Sequence, residues 1–87
     1  MNYPKIRYRE LEKVILSLNF ISLSTEGTQK VFEHPSGALI ILPDYSENQE
    51  VSPTHIAAIA RILDEFNIMN KLDFETFLEN SLSFSTK

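Results

Sequence analysis

The chain is 87 residues long with a net charge of −4, 43% hydrophobic residues, six Phe and three Tyr, and no cysteine. That is one domain at most, burying roughly 60–65% of its unfolded surface around a single modest core. Disulfides and thiolate metal sites are excluded. Two histidines, His34 and His55, are too few for a zinc site without carboxylate help, so no metal and no cofactor are expected.

No apolar run approaches the roughly 18 residues of a membrane span, and Met1-Asn2-Tyr3-Pro4-Lys5 lacks the apolar core of a secretory signal. The expectation is a soluble cytoplasmic protein with no membrane partner. Charge is unevenly spread. Residues 1–30 hold five basic and three acidic side chains (+2), and residues 31–87 hold three basic and nine acidic ones (−6). A local basic face on the first helix is compatible with this balance even though the whole surface is not.

Leu11, Val14, Ile15 and Leu18 recur at i, i+3, i+4 and i+7, which predicts a first helix over about Arg7 to Leu18 with these residues on one face. Arg7, Arg9 and Lys13 fall largely off that face. Asn19 is suited to a left-handed C-cap, with Phe20 packing back on the helix end. Residues 20–25 then alternate with period two, Ile21 and Leu23 against Ser22 and Ser24, as a half-buried strand does. Glu26-Gly27 makes a turn into a second strand over about Thr28 to Glu33. Pro35-Ser36-Gly37 supplies tight-turn chemistry. The third strand, Ala38 to Leu42, is apolar on both faces and stopped by Pro43, the pattern of a central or doubly covered strand.

Asp44 to Glu50 reads as a charged loop. Ser52-Pro53 predicts an N-cap followed by proline at the first helical position. Ile56, Ile59, Ala60, Leu63 and Phe66 form the apolar stripe of the second helix, with His55, Arg61, Asp64 and Glu65 on its other side. Asn67 ends it. A short third helix is predicted from Asp73, with Leu72 and Phe77 spaced as a hydrophobic staple and a frayed tail from Ser81 to Lys87. The order is that of an α+β, two-layer protein: three antiparallel strands, helices over one face, the other face open to solvent or a partner.

Several phrases in this order carry a resemblance: Leu18-Asn19-Phe20 after the first helix, Gly27-Thr28-Gln29, His34-Pro35-Ser36-Gly37, Ile40-Ile41-Leu42-Pro43, and Ser52-Pro53-Thr54-His55-Ile56 through Leu63. Together, over roughly residues 5–68, they resemble the HicA (YcfA-like) family of small mRNA-interferase toxins. The resemblance implies a dsRBD-like α-β-β-β-α fold over residues 1–68, with residues 69–87 a helical extension and tail. It also implies a toxin-antitoxin context, with RNA or a HicB-like antitoxin protein as partner. In the family, the histidine of a Gly-Ser-His segment is catalytic; aligned without gaps, that position here is Gln29. An amide does not titrate near neutral pH and cannot take a proton from a ribose 2′-hydroxyl. Losing a general base typically costs on the order of 10²–10⁴ in rate.

The resemblance therefore implies a catalytically degenerate protein that binds RNA or an antitoxin-like protein, through Gly27, Thr28, Gln29 and Lys30 together with Arg7, Arg9 and Lys13. The balance leans away from an enzyme. Two other readings stand beside it. One is a working endoribonuclease with a relocated base such as His34, although an offset of five along a strand projects to the opposite face. The other is a self-associating structural module, a homodimer closed by the Phe-rich C-terminal helix. The plain readings are that His34 decorates the hairpin, His55 is an ordinary first-turn histidine, and Lys30 is a solvated strand lysine.

Overall fold

The computed structural model describes residues 3–23 and 29–85, with side chains through Ser81. Glu26, Gly27 and Thr28, and with them the expected turn, lie outside the described residues. The order is α1 (Tyr8–Ser17), β1 (Ile21–Leu23), β2 (Lys30–Glu33), β3 (Leu39–Leu42), α2 (Pro53–Glu65) and α3 (Lys71–Ser85). The three strands form one antiparallel sheet in the order β1-β2-β3, so the α+β expectation holds.

Helix α1 forms where the apolar spacing predicts it, and its buried stripe is Tyr8, Leu11, Val14 and Ile15. Arg7 occupies the N-cap position without a side-chain cap. The loop after β3 does the capping instead. Tyr8 N–H donates to the Gln49 carbonyl at 2.8 Å and Arg9 N–H to the Glu47 carbonyl at 3.0 Å, while Glu10 and Leu11 N–H both use the Arg7 carbonyl. The donors of Tyr8, Arg9 and Glu10, which lack a partner one turn back in the helix, are thereby satisfied, and Leu11 starts the regular ladder. Asn19 (φ 76°) and Asn67 (φ 57°) take the left-handed conformation just past α1 and α2, as the C-cap reading requires.

The β2–β3 hairpin is a three-residue connection. His34 N–H donates to the Ala38 carbonyl at 2.9 Å and Gly37 N–H to the His34 carbonyl at 2.8 Å, with Gly37 at φ 100°. This is the type I turn with a left-handed glycine bulge that Pro35-Ser36-Gly37 favours.

The core lies between the sheet and the three helices. It contains Ile6, Leu11, Ile15, Phe20, Phe32, Ile40, Leu42, Ile56, Ile59, Leu63, Phe74 and Leu78, each at most 3% exposed. Helix α3 supplies Phe74 and Leu78 to this core and packs against both α1 and α2.

Six local expectations are corrected. Ile21 and Leu23 do not face the core: Ile21 is 59% exposed, because Phe20 (3%) anchors the strand and the alternation then turns Ile21 outward. Strand β3, apolar on both faces, is an edge strand and not a central one; Ile40 and Leu42 face the helices while Leu39 and Ile41 face solvent. Phe66 lies past the end of α2 at its C-cap, 41% exposed. Helix α3 begins at Lys71, not Asp73, since the Asn70 side chain accepts from Asp73 N–H at 2.8 Å. Leu72 is 68% exposed and makes no staple. The helix also runs on through the serines to Ser85 where fraying was expected.

Candidate functional site

The residues singled out from sequence do not converge on one place. Gly27 and Thr28 lie outside the described residues. Gln29 is exposed and immediately precedes β2, in the same strand alternation as Val31 and Glu33. Lys30 alternates to the opposite side. It pairs with Asp44 at 3.5 Å and sits 5.7 Å from the centre of the Tyr8 ring, so it is neither a plain solvated lysine nor a neighbour of Gln29 on the open face.

The basic residues of α1 divide between two grooves. Arg7 donates to the Asn48 carbonyl at 2.8 Å. With Lys5 and Arg9 it lines a cleft of about 520 Å³ closed by Glu10, Asn48 and Glu50. Lys13 and Arg9 flank Glu10 at 4.0 and 3.8 Å, and Lys13 borders a second groove between α1 and α3 with Ser17 and Phe77. These pairs are exposed and weak individually. They offset much of the positive charge that the sequence places on α1.

His34 is committed to its hairpin. Ser36 N–H donates to His34 Nδ1 at 3.0 Å, the Ser36 hydroxyl lies 2.8 Å from the same nitrogen, and the ring is 5.0 Å from that of Phe20. Nδ1 is therefore an acceptor, and the neutral ring carries its proton on Nε2. The imidazole serves as a turn brace there.

The best-built polar cluster was not anticipated. Tyr45, 8% exposed, stacks on Tyr8 with ring centres 5.8 Å apart. Its hydroxyl oxygen accepts from Ser52 N–H at 3.0 Å and lies 2.6 Å from His55 Nδ1. His55 is thus half-buried and bonded. Tyr8 in turn reaches Glu12 at 3.3 Å; burial, then the negative charges of Glu12 and Asp44, raise its pKa well above 10. Tyr8 lies three residues before Leu11, on the same helical stripe, and that spacing was the available signal. Tyr45 stands in a polar loop with no periodicity to mark it.

Among the described residues, the sheet face turned away from the helices exposes a set of apolar side chains. Its described side chains are Ile21, Leu23, Val31, Leu39 and Ile41 with Glu33, and Ile21, Leu23, Leu39 and Ile41 are 36–59% exposed. No lysine or arginine of the described strands points from it, Lys30 being turned the other way. Among the described residues, no group of three His, Asp or Glu side chains is placed to hold a metal ion, and no helix is long and apolar enough to cross a membrane. The chain matches no protein-family model and no curated protein.

Proposed function

We propose that this chain is a HicA-like domain without ribonuclease chemistry that acts by binding a protein, of the antitoxin-like kind, on its open sheet face. The observation that carries the reading is the character of that face. It presents Ile21, Leu23, Val31, Leu39 and Ile41, and Gln29 follows the same alternation where the resemblance would put a histidine. An apolar surface with an acid and no strand cation suits a protein partner. A phosphate backbone needs lysines and arginines in its track. The α-β-β-β-α order agrees with the scaffold the resemblance implies. A base relocated to His34 finds no support, because that ring's Nδ1 is already bonded to Ser36.

Co-expression with the product of the neighbouring reading frame tests the binding surface. The pair co-purifies, Ile21→Asp abolishes it, and Arg9→Ala leaves it intact. The reverse pattern, dependence on Arg9 and indifference to Ile21, refutes the sheet-face reading. Incubation with a structured mRNA at neutral pH tests the chemistry. Wild type and His34→Ala leave the RNA intact; cleavage by wild type that is lost in His34→Ala refutes the degenerate reading.

A further inference from the structure

Strand β3 is an edge whose hydrogen-bonding phase can be read from the hairpin. Because His34 N–H bonds the Ala38 carbonyl, His34–Ala38 is a hydrogen-bonded pair, and such pairs alternate along an antiparallel ladder. With Phe32 opposite Ile40 and Lys30 opposite Leu42, residues 38, 40 and 42 turn both backbone groups toward β2. Leu39 and Ile41 turn theirs toward the free edge. No other described strand lies there, and no backbone partner among the described residues takes up these groups. Leu39 and Ile41 are also the exposed apolar side chains of the strand, at 41% and 55%.

Natural edges are blunted by lysine, proline or a bulge. Leu39-Ile40-Ile41-Leu42 contains none of these; its only protections are its length and Pro43 just after it. The strand is also self-complementary. An antiparallel pairing about a two-fold axis at Ile40 sets Leu39 opposite Ile41 of a second copy, and Ile41 opposite Leu39. That is the phase in which the free N–H and C=O groups of both residues meet their counterparts, giving four backbone hydrogen bonds. The side chains on each face stay on that face, and the strand carries no charge to oppose its copy.

We propose that β3 is a self-association edge: two copies pair through Leu39 and Ile41 to form a continuous six-stranded sheet whose outer apolar faces merge. The pairing is independent of what the open face binds. A contact of four residues a side buries a few hundred Å² per protomer, short of the roughly 800 Å² of a standard interface. The dimer is accordingly weak and concentration-dependent.

Sedimentation equilibrium over a dilution series checks this. The wild-type mass rises toward two protomers with concentration, and Ile41→Lys, which blunts the edge, holds it at one. The absence of native cysteine allows a register test that survives a weak dimer. Leu39→Cys mixed with Ile41→Cys forms an intermolecular disulfide under mild oxidation, since hydrogen-bonded partners sit about 5.5 Å apart at Cα, inside the disulfide range. Either variant alone cross-links more slowly, its own copy being a diagonal neighbour about 7–8 Å away. A mixture that cross-links no faster than the single variants overturns the proposal, as does a dimer that persists in Ile41→Lys.

Discussion

Replacing Tyr45 with Phe removes one oxygen and tests how the 44–50 loop is fastened. The ring stays, so the stack on Tyr8 at 5.8 Å and nearly all the apolar burial are kept. What disappears is the acceptor for Ser52 N–H at 3.0 Å and the hydrogen-bond partner of His55 Nδ1 at 2.6 Å. A polar group left without a partner costs about 1–3 kcal/mol when buried and little when water can reach it. Ser52 and His55 are both half-buried, which puts the expected loss at about 1–2 kcal/mol. For a domain of this size that corresponds to a fall in Tm of about 5–15 °C. Urea unfolding followed by circular dichroism gives the value, with an unchanged m showing that the unfolded state is not altered. Tyr45→Phe, His55→Ala and the double variant form a cycle whose coupling is about 1 kcal/mol if the two side chains share one bond. A loss under about 0.5 kcal/mol with no coupling refutes the argument and shows water serving Ser52 and His55 equally well.

Phe32→Ala, emptying a fully buried site at the centre of β2, costs about 3–5 kcal/mol and leaves a visible unfolded fraction by circular dichroism at 37 °C. Asn19 at φ 76° tolerates Gly, whereas Asn19→Ala lowers stability by about 1 kcal/mol in urea titrations. Gly37→Ala isolates backbone strain, because a Cβ there meets nothing within 4 Å; its cost, about 1–2 kcal/mol, comes from φ 100° alone. The raised pKa of Tyr8 makes a pH prediction. Its neutral form is favoured more in the folded than in the unfolded chain, so the stability it contributes is complete below its ordinary value of 10.0 and is lost as pH rises beyond it. Urea midpoints therefore fall more steeply above that pH in wild type than in Tyr8→Phe. Tyr3, raised by burial and Glu75, leaves a smaller slope in the variant.

Signals confined to a few neighbouring residues were legible in sequence. The 3.6-residue spacing of Leu11, Val14 and Ile15, the left-handed Asn19, the Pro35-Ser36-Gly37 turn and the Ser52-Pro53 start each depend on preferences of the residues themselves. What failed depended on distant partners. Alternation located β1 but did not reveal that Phe20, one residue earlier, would take the core side and send Ile21 outward. An all-apolar strand looked central because burial is the usual reason for such composition, yet Leu39 and Ile41 are exposed at an edge. Asn70, which caps α3, was passed over for the more obvious Asp73. The candidate site was legible only as separate residues. Lys30 and Gln29 are adjacent in sequence and project to opposite sides of the sheet, and the Tyr45–His55 bond joins a loop to a helix across ten positions.

The capping of α1 by the 44–50 loop bears on the order in which the chain can assemble. The donors of Tyr8 and Arg9 are met by carbonyls of Gln49 and Glu47, about forty residues later, and the same loop is tied through Tyr45 to the start of α2. As the chain leaves the ribosome, α1 and the first strands emerge well before the segment that completes them. The first turn of α1 stays open until the Asp44–Glu50 stretch is free to fold over it. One loop thus closes the starts of both α1 and α2, and the native caps of α1 can form only after more than half the chain has been made. A chain truncated after β3 would carry every strand of the sheet and still lack a finished first helix.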